Sequence, residues 1–250
     1  MSLLHYPIET QASGQFNAGE IIENKPIGFP QDGGSVRPYS SLFYWAKATA
    51  LKDSTIGLHP HQGFEIMSFV LKGRIKHYDS QMRDWLPLQE GDSQIIRAGS
   101  GISHAEHMEE GSVMFQIWLD PGLENSLQLP ASYSDYSSTD LVHHGTREFY
   151  ASIETTLAAP MKMTTSGVSI FKQTLEIGQH VMEIPPHKTW SIYILSGSGK
   201  SDGLQLKIDD FLAIQDEASW ELEVEEMMQI FVISTPTKLS YKRYQELYTR

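Results

Sequence analysis

Four side chains in the first half of the sequence have the types and spacing of a metal centre. His59 and His61 stand two residues apart, and His104 and Glu106 repeat that spacing further along the chain. Because side chains alternate across a β-strand, each pair should lie on one face of its strand. Three imidazoles and one carboxylate suit a divalent transition metal and need not fill all of its coordination positions. The sequence therefore predicts a metal site that can accept a further ligand.

A second carboxylate competes with Glu106 for the role of fourth ligand. Glu65 has the same parity as His59 and His61 if the strand continues without interruption. Gly63 stands between them and can host a β-bulge, which would break that parity. The residues alone leave both carboxylates as candidates.

Five other histidines are interpreted as structural or solvated rather than as ligands. His77 lies in a half-buried strand pattern, and His107 should face away from a metal bound by its neighbour in sequence. His143 and His144 lie in a polar stretch. His187 follows two prolines, and a structural role is expected there.

Composition narrows the class of protein. The chain of 250 residues is 40% hydrophobic, which is enough for a sizeable core in one or two domains. The absence of cysteine excludes disulfides, thiolate ligands and a cysteine nucleophile. A formal net charge of −12 without a basic stripe argues against direct binding to nucleic acid. Met1–Tyr6 lacks a signal-peptide pattern and no apolar run reaches the length of a membrane helix, so a soluble, cytoplasmic protein is expected.

The elements that must position these residues are short β-strands. Residues 65–71 form a continuous apolar run typical of a strand buried on both faces, whereas residues 74–79 alternate like a half-buried strand. Residues 51–58 are interpreted as a polar connection, and residues 123–145, rich in Ser, Tyr and Asp, as an interdomain connection. Strands at short intervals, separated by Gly and Pro, predict an all-β sandwich or barrel.

A weak internal repeat suggests that the barrel is duplicated. Residues 66–73 align with residues 190–197. In that alignment His59 and His61 fall on Glu183 and Pro185, and His104 and Glu106 fall on Leu222 and Val224, or on Glu221 and Glu223 after a slip of one residue. The second copy thus lacks the three histidines. We expect an N-terminal domain, residues 1–135, with the metal site and a degenerate C-terminal domain, residues 136–250, without one.

The two histidine motifs also resemble those of a known family. They are His59-Pro60-His61-Gln62-Gly63-Phe64-Glu65 and Gly99-Ser100-Gly101-Ile102-Ser103-His104-Ala105-Glu106. Both are similar to motifs of the pirin family of bicupins, and the resemblance covers about residues 40–120 well. It implies an all-β fold of two stacked cupin (jelly-roll-like) barrels, with iron in the N-terminal barrel held by His59, His61, His104 and Glu106. Fe(II) is the expected metal, with Mn, Ni, Cu, Co and Zn as alternatives.

Three positions depart from the family pattern without removing a ligand. Gln62 stands where an arginine is common, and Arg97 stands where a small or hydroxyl residue is usual. Ala105 replaces a more frequent serine. Gln62 and Arg97 are expected to change the charge of the pocket and therefore its substrate.

The family resemblance implies an activity and an alternative to it. The activity is a quercetin 2,3-dioxygenase-type reaction that opens the central ring of a flavonol with O2, in which Glu106 accepts the proton of the 3-hydroxyl. The expected partners are then a small polyphenol and O2. The alternative is a redox- or metal-sensing regulator that acts through a protein partner, and a third interpretation is a structural metal closed by four ligands.

Overall fold

The computed structural model describes residues 3–153 and 156–248; residues 1 and 2, which belong to the stretch assessed for a signal peptide, lie outside them. Strands dominate the described chain, which confirms the all-β prediction. The strands are β1 (Leu3–Tyr6), β2 (Ala12–Phe16), β3 (Ile21–Ile27), β4 (Leu42–Ala50), β5 (Ser54–His61), β6 (Glu65–Lys72), β7 (Arg74–Asp79), β8 (Trp85–Gln89), β9 (Ser93–Arg97), β10 (Ile102–Met108), β11 (Val113–Leu119), β12 (Ser132–Tyr136), β13 (Val142–His144), β14 (Arg147–Ala151), β15 (Ser169–Leu175), β16 (Gly178–Glu183), β17 (Lys188–Ser201), β18 (Leu204–Leu206), β19 (Phe211–Ile214) and β20 (Ser219–Pro236).

Helices are few and short in this part of the chain. The α-helices are α1 (Leu123–Ser126) and α2 (Tyr244–Tyr248), and 3-10 segments cover Ile8–Thr10, Asn17–Gly19, Pro30–Asp32 and Ser138–Asp140. Neither α-helix has the length that crossing a membrane requires.

The described residues form two compact units that differ in four places from the predicted ranges 1–135 and 136–250. The N-terminal unit comprises residues 11–140, 163–166 and 240–248, and the C-terminal unit comprises residues 3–10, 141–153, 156–162 and 167–239. Strand pairing explains the placement of the first residues, because β1 pairs with β19. Such long-range exchanges leave no mark on local strand patterns, so the sequence could not indicate them.

The N-terminal unit consists of two antiparallel sheets that enclose a shared core. The larger sheet has the order β12-β9-β6-β11-β4-β3-β2, and the smaller has the order β5-β10-β7-β8. Apolar side chains from both sheets pack into one cluster: Ile21, Ala48, Ala50, Ile56, Val70, Ile75, Leu88, Met108 and Met114. β6 is buried on both faces over most of its length and β7 alternates, as the two sequence patterns predict.

Two predicted connections contain strands. Residues 51–58 were expected to be a polar connection, but β5 already begins at Ser54, because Ser54 and Ile56 alternate inward from an otherwise polar stretch. Residues 123–145 contain α1, β12 and β13. β12 is an edge strand of Ser, Tyr and Asp that pairs with β9 through its backbone, so its sequence carries little hydrophobic signal.

The C-terminal unit repeats the strand pairing of the N-terminal unit. β6 lies between β9 and β11, and β17 lies between β19 and β20. Ile66 pairs with Ile96 in the first unit, and the aligned Trp190 pairs with Ile214 in the second. The pairing therefore supports the alignment of residues 66–73 with residues 190–197.

Apolar side chains occupy the interior of the C-terminal unit where β16 and β20 pair. Leu222 and Val224 are buried in its core together with Trp220 and Met182. Their neighbours on β20, Glu221 and Glu223, are exposed. The unslipped alignment, which matches His104 and Glu106 to Leu222 and Val224, is thus the one in which buried residues of one unit align with buried residues of the other.

Candidate metal centre

The three predicted imidazole ligands meet between two neighbouring strands of the smaller sheet. In the antiparallel pair of β5 and β10, His104 lies opposite His59, and Ile102 lies opposite His61. The ring centroids of the three histidines are 4.4 to 4.7 Å apart. One nitrogen from each ring lies within 4.8 Å of the others. Among residues 3–153 and 156–248, these three histidines are the group of His, Asp or Glu side chains that lie close enough together to share a metal ion.

A β-bulge fixes the orientation of His59. The register between β5 and β10 shifts between His104 and Glu106, so that Glu106 pairs with Ile56 and one extra residue of β5 is accommodated around Gly57. The Nδ1 of His59 lies 2.7 Å from the carbonyl oxygen of Gly57. If Nδ1–H donates to this carbonyl, Nε2 keeps its lone pair for a metal, which is the usual arrangement of a histidine ligand.

Burial keeps two of the imidazoles neutral. Desolvation, followed by the nearby His59, lowers the pKa of His61 to about 4. Desolvation also lowers the pKa of His104 well below its ordinary value. The Nε2 atoms of both rings are buried without a hydrogen-bond partner. Neutral imidazoles with free lone pairs are the form that binds a metal cation.

Glu106 adjoins the three histidines through His104. Its Oε1 lies 3.2 Å from Nδ1 of His104 and accepts a hydrogen bond of 2.6 Å from Nε2 of Gln116. Its Oε2 is buried without a partner. Burial raises the pKa of Glu106 to about 8, against the opposing effect of the Gln116 hydrogen bond.

Gln116 and Trp118 belong to the site although no sequence motif points to them. Both lie on β11, where Trp118 Nε1 donates to Gln116 Oε1 at 3.3 Å and Gln116 in turn donates to Glu106. The Trp118 ring also lies edge-on to His61, with the centroids 4.7 Å apart. The available signal was a single glutamine in the otherwise apolar run of residues 113–119.

The second candidate carboxylate, Glu65, has a different set of partners. Its oxygens accept hydrogen bonds from the backbone N–H groups of Thr164 (2.5 Å) and Thr165 (2.8 Å) and from the Thr165 hydroxyl (2.5 Å). Glu65 begins β6 in the larger sheet, after Gly63 in a left-handed conformation. The carboxylate therefore anchors the segment 163–166 to the N-terminal unit.

The three departures from the family pattern lie at different places. Arg97 lies with Nε 3.9 Å from Glu65 Oε1 and donates from Nη1 to Ser134 Oγ at 3.2 Å. Gln62 lines a cavity of about 530 Å³ beside His61. Ala105 is buried next to the two predicted ligands on β10.

The other histidines lie outside the group of three. His77 is buried, with Nε2 3.3 Å from Asp79 Oδ2, and its ring centroid lies 5.6 Å from that of His104. His107 contacts Thr55 Oγ1 through Nδ1 at 2.9 Å. The side chains of His143, His144 and His187 are exposed.

A cavity of about 590 Å³ is lined by side chains of the larger sheet and by two of the three histidines. Its walls include His59 and His61 as well as the aromatic rings of Phe29, Tyr44 and Trp118. Phe29 stacks on Tyr44 with centroids 4.7 Å apart and meets Trp118 edge-on at 5.4 Å. A cavity of this size and lining suits a small aromatic molecule.

A double-sheet β-barrel with a histidine cluster of this kind is typical of the cupin class of metal proteins. The Pirin family profile matches residues 34–119. The crystal structure of the bacterial pirin YhhW from Escherichia coli in complex with nickel(II) superposes with a TM-score of 0.80 at 19% identity, covering 94% of this chain and 100% of that one. Residues 34–119 are therefore similar to the pirin family, and the chain has the fold of bacterial pirins.

Two sequence relatives carry the name of an enzyme. The quercetin 2,3-dioxygenase of Escherichia coli K12 is 24% identical over 72% of this chain and 76% of its own length. A Vibrio cholerae protein that is provisionally named a quercetin 2,3-dioxygenase is 32% identical over 56% of this chain. That match spans 54%, about half, of the Vibrio cholerae protein.

Glu65 and His61 have different partners, so their removal should have different effects on metal binding. Glu65→Gln should retain bound metal but lower the free energy of unfolding by roughly 1.5–3 kcal/mol, because hydrogen bonds to a buried charge are lost. His61→Ala should lose the metal. The measurement is metal content after dialysis, together with thermal unfolding. Loss of metal from Glu65→Gln at unchanged stability would contradict this assignment.

The raised pKa of Glu106 predicts a pH dependence for metal-free protein. The folded protein holds this proton more tightly than the unfolded chain, whose carboxyl has a pKa near 4.5. The stabilisation from Glu106 is therefore complete below pH 4.5 and is lost as the pH rises through about 8. Thermal unfolding in EDTA from about pH 5 to pH 9 should show this loss, and Glu106→Gln should lack it. Parallel profiles for the two proteins would show that Glu106 does not titrate as expected.

Proposed function

We propose that this protein is a metal-dependent dioxygenase of the quercetin 2,3-dioxygenase type, with Fe(II) as its metal and a flavonol as substrate. The observation that carries the proposal is the arrangement of three imidazoles beside a buried carboxylate, on a cavity with aromatic walls. The names of the sequence relatives support the same chemistry.

The donor set fits a divalent metal. The lone pairs of His61 and His104 have no competing hydrogen bond, and that of His59 is left free if its Nδ1–H donates to Gly57. Nickel(II) in the YhhW structure supports a divalent ion at a site of this fold. Bound by His59, His61, His104 and Glu106, Fe(II) would supply a Lewis acid that acidifies a phenolic hydroxyl and a redox centre for O2.

Glu106 is the proposed proton acceptor. A carboxyl with a pKa near neutrality can take and return a proton at physiological pH, and a cation held by the imidazoles would lower that pKa and favour the carboxylate. Gln116 holds Oε1 by its hydrogen bond, whereas Oε2 is free of protein partners. The free oxygen is the one proposed to receive the 3-hydroxyl proton of the flavonol.

The aromatic wall is proposed to hold the substrate and keep water away. Phe29, Tyr44 and Trp118 present ring faces and edges to the cavity, and such surfaces favour planar aromatic ligands. Trp118 also contacts the proposed ligand His61 and donates to Gln116, so one side chain of the aromatic wall packs directly against the proposed metal site. Exclusion of water from this space would protect the reactive intermediates.

The test is flavonol consumption with O2 uptake after anaerobic loading with Fe(II). We expect iron-dependent turnover of quercetin by the unchanged protein. Glu106→Gln should keep iron but lower kcat by about 10²–10⁴-fold, because the proton acceptor is lost. His59→Ala should bind no iron and show no turnover.

His107→Ala provides a matched control, because this histidine lies on the same strand and bonds to Thr55 instead of adjoining the centre. It should retain iron and turnover. Tight iron binding by the unchanged protein without turnover of any flavonol would contradict the proposal and favour the redox-sensing alternative. Full activity of Glu106→Gln would remove the proton-acceptor role alone.

A further inference from the structure

A buried charged cluster lines the same cavity as the histidines. Lys25 Nζ lies 3.0 Å from Asp32 Oδ2 and 3.3 Å from Glu23 Oε2. The Tyr44 hydroxyl donates to Glu23 Oε1 at 3.2 Å. Glu23 is only 6% exposed, and Lys25 is 8% exposed. All four side chains contribute to the wall of the cavity of about 590 Å³; we call them the Lys25 cluster.

The cap that Asp32 provides to the segment Pro30–Asp32 does not by itself require the buried charges of Glu23 and Lys25. Taking charges out of water is costly, and apolar residues of similar volume are often equally stabilising in such positions. The two carboxylates also exceed the single ammonium by one negative charge. A buried cluster with an excess of acceptor oxygens is suited to a ligand that donates hydrogen bonds.

The neighbouring strands leave room for the Lys25 cluster. Gly14 on β2 lies opposite Glu23 on β3. A Cβ atom at Gly14 would lie 2.7 Å from both Glu23 Oε2 and Lys25 Nζ. On the other side, Glu23 pairs with the small Ala48 of β4. A substitution of Gly14 by alanine would therefore displace Glu23 and Lys25 while leaving both residues themselves unchanged.

The Lys25 cluster is also joined to the aromatic wall. Asp32 Oδ2 accepts a hydrogen bond from the backbone N–H of Phe29 at 3.1 Å, and the Phe29 ring stacks on Tyr44. A flat ligand held by these rings therefore has metal donors and acidic acceptors on the walls of one cavity.

We propose that the Lys25 cluster is a specificity subsite that binds the hydroxyl groups of the substrate ring that does not engage the metal. This inference rests on the proposed function and defines its substrate class as aromatic compounds with a catechol ring in addition to the metal-binding oxygens. Glu23 accepts the phenolic hydrogen bond, and Lys25 holds the two carboxylates in place. The excess negative charge disfavours substrates with a carboxylate or phosphate at this end.

The test compares the binding of two flavonols that differ only in the catechol hydroxyls, quercetin and galangin. Titration of Trp fluorescence in zinc-loaded protein under nitrogen measures affinity without turnover. We expect quercetin to bind about tenfold or more tightly than galangin, as expected for a hydrogen bond to a charged acceptor. Glu23→Gln should reduce this preference to about twofold or less, with the galangin affinity unchanged.

Gly14→Ala is the second variant, since it displaces the cluster without removing a charge and should also abolish the preference. Glu148→Gln is the control, because Glu148 forms an ion pair of 2.8 Å with Lys172 and does not line the cavity. Equal affinities of the unchanged protein for both flavonols, or an unchanged preference in Glu23→Gln, would overturn this inference alone. Failure of the zinc-loaded protein to bind either flavonol would overturn the proposed function and this inference with it.

Discussion

The packing of His104 against His59 and His61 is the constraint on which the N-terminal unit depends. Nitrogens of His61 and His104 and one oxygen of Glu106 are removed from water without a hydrogen-bond partner. Such groups are costly to bury unless another species satisfies them. A metal ion at the imidazoles would use the free lone pairs and, through its positive charge, would make a buried carboxylate at Glu106 acceptable. The bulge at Gly57 orients His59, the Gln116 hydrogen bond holds Glu106, and the Trp118 ring packs against His61.

The two units have a similar strand arrangement, but among the described residues only the N-terminal unit contains the histidine group, and their interior side chains differ accordingly. In the C-terminal unit, Trp220, Leu222 and Val224 fill the interior where β16 and β20 pair, and the Trp220 indole N–H donates to Ser201 Oγ at 2.8 Å. In the N-terminal unit, the paired strands β5 and β10 carry the polar side chains of the centre. Its cavity adds the buried Lys25 cluster, which apolar packing does not require.

Much of this arrangement is predictable from local sequence, and the rest depends on contacts far apart in the chain. The two-residue spacing of His59 and His61, and of His104 and Glu106, together with the apolar run of β6, indicates both the strands and the shared face. The choice between Glu65 and Glu106 was open because strand parity permits both. In the structure, backbone N–H groups of Thr164 and Thr165, from a distant part of the chain, donate hydrogen bonds to the Glu65 carboxylate. The Lys25 cluster could not be predicted either, because it depends on the pairing of Gly14 with Glu23.

We propose that His59, His61, His104 and Glu106 hold one divalent metal, and anomalous diffraction from crystals of the iron-loaded protein tests this ligand set. We expect one anomalous peak per chain, at about 2.1 Å from a ring nitrogen of each of His59, His61 and His104, with a Glu106 oxygen as the fourth protein ligand. A peak at another place, or a metal that Glu65 binds instead of Glu106, would contradict it.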